Sequence, residues 1–182
     1  MEAEDFNNNV SQGGHYWITV TSPSGFSGKG AMRAMPDNGA NINSGFVSGG
    51  PRLDYKINFV KTGRHYIWIR GYKTGGNDDS CHAGLNGQAV STADKISNFF
   101  PSNTWTWTNW TLDGSRASFN VNQTGVNTFN IWMKEDGFRI DKIVITTNSS
   151  YNPARSSSRQ RDDRQRDDQQ RDDQQRNDRE ND

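Results

Sequence analysis

Trp105, Trp107 and Trp110 fall within six residues of one another, separated only by Thr and Asn. A flat indole is the side chain that meets the C–H face of a sugar ring, while polar groups on neighbouring loops take up the hydroxyls. Along a regular strand Trp105 and Trp107 point to the same side. Any one tryptophan in a small β-protein is more often core than surface, but three so close together are not easily enclosed at once. Tyr16, with Trp17 and Phe46, is a candidate opposing wall for such a platform.

A second group of residues carries different chemistry. Glu2-Ala3-Glu4 places two carboxylates on one side of an extended segment, where they repel. Asp141 lies in Arg139-Ile140-Asp141-Lys142-Ile143, a run of strand formers in which an unpaired buried carboxylate is costly. One hard cation satisfies all three. Calcium takes about six to eight oxygens, and carbonyls of the glycine-rich Ser27-Gly28-Lys29-Gly30 can complete its shell. The competing reading pairs each carboxylate with an Arg or Lys at the surface.

Such groups need a rigid frame, and the chain has the pattern of one. Period-two segments recur between Gly, Asn, Asp and Pro clusters: Tyr16 to Val20, Leu53 to Val60, His65 to Tyr72, Trp105 to Leu112, Ala117 to Val121, Thr128 to Lys134 and Arg139 to Thr146. In the second of these Leu53, Tyr55, Ile57 and Phe59 alternate with Asp54, Lys56 and Asn58, and Phe59 is expected to meet Trp68 in the core. Asp113-Gly114, Thr124-Gly125 and Asp136-Gly137 read as turns, and Gly63 as a hairpin residue. Asp94 to Phe100 is the one candidate helical turn. With 18 Gly and no sustained helical period, the fold class is all-β: an antiparallel β-sandwich of the jelly-roll kind over residues 1–150.

The totals exclude several classes. Basic and acidic residues number 21 each, and the balance holds in both the sandwich and the segment after it, so there is no basic excess for nucleic acid. No apolar run reaches membrane-spanning length. The single Cys rules out an internal disulfide, so stability rests on packing, to which 6 Trp, 9 Phe and 5 Tyr contribute most of the bulk. After Ala154 there is no hydrophobic residue, and Arg161-Asp162-Asp163, Arg166-Asp167-Asp168 and Arg171-Asp172-Asp173 repeat at a spacing that keeps no helical face. Residues 151–182 are therefore expected to be a disordered charged tail.

Glu-Ala-Glu-Asp-Phe at the start, Trp107-Thr108-Asn109-Trp110-Thr111 in the middle and Gly137-Phe138-Arg139-Ile140-Asp141-Lys142-Ile143 at the end resemble, in that order, the β-sandwich carbohydrate-binding modules of families 6 and 35. The resemblance spans residues 2–146. It implies that Glu2, Glu4 and Asp141 hold a structural calcium, that Trp107 stacks on a sugar, and that Trp110 belongs to the core. It also implies a polysaccharide partner, an attached catalytic domain, a monomer, and an extracellular setting in which this chain, with no export signal at Met1-Glu2-Ala3-Glu4, is a domain excised from a longer protein. Family 6 modules carry an asparagine in the pattern Gly-Phe-Asn-Leu-Asp where this chain has Arg139. A guanidinium there suits a carboxylate or sulfate, with Lys134 and Arg33 adding charge nearby, so the expected ligand is a uronic-acid-containing or sulfated polysaccharide. The alternative is an Arg139 that neutralises Glu135 or Asp136.

No catalytic constellation accompanies this. Trp132-Met133-Lys134-Glu135-Asp136-Gly137 resembles a stretch of related modules, but carboxylates adjacent on a turn do not flank a scissile bond across the roughly 5–9 Å that glycoside hydrolysis uses. A jelly-roll lyase or hydrolase is the rival class, yet alternation sends His65 and Tyr66 to opposite faces. A protein-binding adhesion module is the third, marked by an apolar patch in place of a polar-rimmed aromatic platform.

Overall fold

The computed structural model describes residues 1–155; the expected tail and its Arg-Asp-Asp repeats lie outside the described residues. Met1–Ser149 form one compact unit. In chain order this unit holds β1 (Asn8–Val10), β2 (Tyr16–Val20), β3 (Ala31–Met35), a short helix α1 (Phe46–Gly49), β4 (Arg52–Phe59), β5 (Gly63–Tyr72), β6 (Cys81–Leu85), β7 (Gln88–Ala89), β8 (Ile96–Ser97), β9 (Thr106–Thr108), β10 (Trp110–Thr111), β11 (Ser118–Val121), β12 (Gly125–Met133) and β13 (Arg139–Thr146). The larger sheet runs β1-β4-β12-β6-β8-β10 with β7 beside β6; the smaller runs β11-β5-β13-β3-β2 with β9 also on β5. All pairings are antiparallel. From β4 onward the chain passes back and forth between the sheets, the jelly-roll habit that leaves two half-apolar sheets to cover each other.

The alternation of apolar residues dictates which faces meet. Leu53, Tyr55 and Phe59 of β4, Ile67 and Ile69 of β5, Phe129, Ile131 and Met133 of β12, and Ile140 and Ile143 of β13 are all buried in one cluster. Each such side chain contributes about 1.5–3 kcal/mol by leaving water. Phe119 sits between the sheets, its ring 5.8 Å from Phe59 and 5.9 Å from Phe129. The turn glycines Gly114, Gly125 and Gly137 all have positive φ, as the sequence requires of them.

Several expectations need correction. Trp68 is on the outer side of β5, because Ile67 and Ile69 take the inward positions; Phe59 packs against His65 and Phe119 instead. Gly63 begins β5 with φ +93°, but β4 and β5 belong to different sheets, so it ends a crossover and not a hairpin. The segment Trp105 to Leu112 is not one strand: it breaks at the buried Asn109, with β9 joining β5 and β10 joining β8. Asp94 to Phe100 contains β8 and no helical turn, since Ile96 pairs with Cys81. Trp17 and Phe46 are not a surface wall. Trp17 is buried with its Nε1 donating to the Pro51 carbonyl, and Phe46 stacks on His82 at 3.8 Å.

Candidate functional site

Period two in the smaller sheet sends one set of side chains into the core and leaves another on the outer face. Pairing then aligns the outer set in rows. Trp107 of β9 lies opposite Arg70 of β5, which lies opposite Lys142 of β13. In the next row Tyr72 lies opposite Arg139, Arg139 opposite Arg33, and Arg33 opposite Ile18. Trp105 closes that row at the β9 end: its ring centroid is 5.2 Å from that of Tyr72, with the planes inclined by 55°. Its Nε1 donates to the Ser24 carbonyl at 3.0 Å, and the Arg70 guanidinium stands 5.7 Å from its ring centre. Trp105 and Trp107 do share a face and both are half-buried, so each keeps part of its ring in water.

Trp110 is not a core residue; it is 44% exposed, because the break at Asn109 turns it outward on the other sheet. Tyr16, 42% exposed, is opposite Met35 on the outer face of the smaller sheet, two strands from Arg139. Tyr72 escaped notice in the sequence, although the alternation of Ile67 and Ile69 with Tyr66, Trp68, Arg70 and Tyr72 carried the signal.

Among the described residues, Arg33, Arg70 and Lys142 of this face each meet a carboxylate, respectively Asp37, Asp141 and Glu2. Arg139 meets none. It does not neutralise Glu135 or Asp136: its Nη1 donates to the Gly137 carbonyl at 3.3 Å, its guanidinium lies 5.6 Å from the Tyr72 ring centre, and its buried Nε has no partner. Burial, and next the neighbouring Arg33, lower the Arg139 pKa, against the pull of Asp78, Tyr72 and Asp37. A guanidinium keeps its proton at any ordinary pH, so the face presents an unmatched positive charge beside aromatic rings.

Lys134 does not join it. The lysine is 3% exposed and pairs at 2.8 Å with Glu135, which also accepts from Asn41 Nδ2 at 3.0 Å and from the Asp79 N–H at 2.9 Å. Burial and then Glu135 push the Asp79 carboxyl up; burial opposes the ionisation of Glu135, but the Lys134 and Asp79 hydrogen bonds outweigh it and hold Glu135 low. Asp136 is fully buried and accepts from the Asn38 and Ala40 N–H groups. Neither carboxylate is placed to reach a substrate.

The three carboxylates assigned to a metal converge on the turn at Ser27–Lys29. Ser27 Oγ donates to Glu2 and to Asp141, the Ser27 N–H donates to Asp141 at 2.7 Å, and the Lys29 N–H donates to Glu4 at 2.6 Å. Gly28 has φ +64°, and a Cβ there would stand 2.1 Å from Glu4 Oε1, so this position demands glycine twice over. Glu4 Oε2 is buried without a partner. The donor chemistry, carboxylate oxygens around a glycine turn with one oxygen unsatisfied, fits a hard cation. The pairing with basic residues is also present, Arg70 on Asp141 and Lys142 on Glu2, and among the described residues no three acidic groups close into a cluster.

The family profile of the glycosyl hydrolase family 115 C-terminal domain matches residues 1–157. Over 108 residues the chain is 32% identical to an uncharacterized protein, P23, of Formosa agariphila, covering 56% of this chain and 26% of that protein, so it spans only a fraction of that relative's length. Its fold is similar to the family 35 carbohydrate-binding module of Paenibacillus barcinonensis (TM-score 0.57, 19% identity, 81% of this chain and 98% of that one). It is similar also to a family 35 module of Clostridium thermocellum (TM-score 0.52, 16% identity, 81% and 95%) and to the GH26-CBM35 β-(1,4)-mannanase of Podospora anserina (TM-score 0.53, 23% identity, 84% and 28%). At these identities the likeness establishes the fold, a family 35-type β-sandwich.

Proposed function

The chain belongs to the glycosyl hydrolase family 115 C-terminal domain family, and from that membership and the outer face of its smaller sheet we propose that it is a non-catalytic polysaccharide-binding module. The observation that carries the reading is the row Trp105, Tyr72, Arg139: two partly exposed rings beside a guanidinium with no carboxylate of its own among the described residues. Rings take the C–H faces of sugars, and the guanidinium takes a carboxylate or sulfate in a two-pronged hydrogen bond. The favoured ligand is therefore an acidic polysaccharide, and the module's task is to hold an attached or partner carbohydrate-active enzyme against it, outside the cell. A lyase reading finds no support in the candidate base His65, which is buried with its ring stacked on Phe119.

Affinity electrophoresis against neutral and acidic glycans tests this. Retardation by alginate, pectin or a sulfated galactan, lost in Trp105→Ala and weakened in Arg139→Ala, is the expected result; retention of full binding by both variants overturns it. Release of reducing ends or of unsaturated uronate absorbance during incubation would overturn the non-catalytic part.

Calcium at Glu2, Glu4 and Asp141 is proposed as the structural cofactor, supported by the unpartnered Glu4 oxygen. A ligand of the native state raises the melting midpoint, so EDTA should lower it and calcium restore it. An unchanged melting curve in EDTA removes the metal.

A further inference from the structure

Arg33 and Arg139 are directly opposed across β3 and β13, a placement that is repulsive unless something negative lies between. Both turn to the same acceptor: Arg33 Nε and Arg139 Nη1 each donate to the Gly137 carbonyl at 3.3 Å. One neutral oxygen cannot balance two cations. Asp37 supplies one of the two negative charges needed: it is hydrogen-bonded to Arg33 Nη2 and packed over Gly137, where an added Cβ would stand 2.8 Å from its Oδ1. Its side chain is 44% exposed and that of Arg33 24%, so this ion pair is open to solvent and weakly held. Asp78 also acts on Arg139, but its oxygens are taken by the Thr74 and Gly75 N–H groups and the Thr74 hydroxyl. The cluster thus has two guanidinium groups, one resident carboxylate on a loop, and an unpartnered Nε on Arg139.

We propose that Arg33 and Arg139 form one oxyanion site, and that Asp37 is its built-in counter-ion, displaced when a ligand carboxylate or sulfate enters. The inference deepens the polysaccharide-binding reading and rests on it for the identity of the natural ligand. Asp37 then sets selectivity. It competes with any entering anion and so favours a ligand whose sugar rings are also held by Trp105 and Tyr72 over an anion alone.

Inorganic sulfate, followed through the arginine Nε–H resonances by NMR, tests the anion site apart from any glycan; a panel of galacturonate, mannuronate and neutral oligosaccharides tests the ligand class. Asp37→Asn should bind sulfate and uronate oligosaccharides about two- to fivefold more tightly, the change expected from removing an exposed competing charge. Arg33→Ala should weaken both about tenfold, as loss of a charge-assisted hydrogen bond does. If sulfate behaves this way while no glycan binds, the polysaccharide reading fails and the anion site stands. If glycans bind but neither substitution alters sulfate or uronate affinity, the anion site is overturned and the polysaccharide reading survives. Melting curves of both variants confirm that each is folded before it is compared.

Discussion

Replacing Lys134 by methionine separates a structural lysine from a ligand-binding one. Its ammonium and the Glu135 carboxylate are 2.8 Å apart, with side chains 3% and 6% exposed. Removing one partner of a buried pair costs about 3–5 kcal/mol, since the other is left charged and poorly solvated. Glu135 keeps two neutral donors, Asn41 Nδ2 and the Asp79 N–H, so the expected loss is at the lower end, about 3 kcal/mol. In a domain of this size that lowers Tm by about 5–15 °C. Thermal unfolding at pH 7 reads it, alongside glycan affinity measured well below the midpoint. The affinity should be unchanged. Adding Glu135→Gln should recover part of the loss, because the neutral amide removes the desolvated charge and keeps an acceptor oxygen for the Asn41 or Asp79 donor. The pH dependence has a definite sign. Glu135 is held below its ordinary 4.5, so its contribution is present above that value and is lost as the pH falls through its folded pKa. In Lys134→Met the isolated carboxylate takes up its proton more readily, so the gap between variant and wild type narrows as the pH is lowered. A variant that melts like the wild type while losing glycan affinity would show that Lys134 reaches the ligand, and the buried pair would have to be abandoned.

The same geometry fixes other outcomes. His82 is fully buried against Phe46 and its pKa is lowered from 6.5 to about 4 by burial, so the folded state loses stability as the pH falls from about 6.5 to about 4; His82→Gln should flatten that limb of a Tm-against-pH curve. Gly28→Ala forces a side chain into positive φ and onto the Glu4 carboxylate, and should cost about 1–3 kcal/mol in urea unfolding and abolish any calcium-induced rise in Tm. Trp110→Ala, on the other sheet from the proposed platform, should leave glycan affinity within about twofold of wild type in calorimetric titration, whereas Trp105→Ala should lower it by about tenfold or more.

The sandwich was legible wherever alternation was strong. β2 and β13 begin and end where the pattern places them, and the inward set of β4 is the predicted one; Asp54, on the opposite face as expected, is nonetheless buried. That residue is buried by the ion pair with Arg52 and the hydrogen bond from Asn130 Nδ2. β3, Ala31–Met35, was missed because its small and sulfur-bearing residues show no clear period, and β6, Cys81–Leu85, because a strand buried on both faces reads as a loop when it contains Cys, His and Gly. At the site, the shared face of Trp105 and Trp107 follows from spacing alone. Their partners do not: that Tyr72 lies beside Trp105, and Arg33 beside Arg139, depends on which strands become neighbours, and no local pattern encodes that. Lys134 was misplaced for a related reason, since a lysine at a strand end reads as solvated until the Asn41 and Ser80 segments are seen to fold over it.

The break at Asn109 has a mechanical meaning. Its backbone carbonyl accepts from Ala117 and its side chain is enclosed, so the segment bearing Trp105 and Trp107 is riveted to both layers instead of hanging as a loop. A wall fixed in this way has little freedom left to surrender, and an arriving chain need freeze only its own glycosidic torsions.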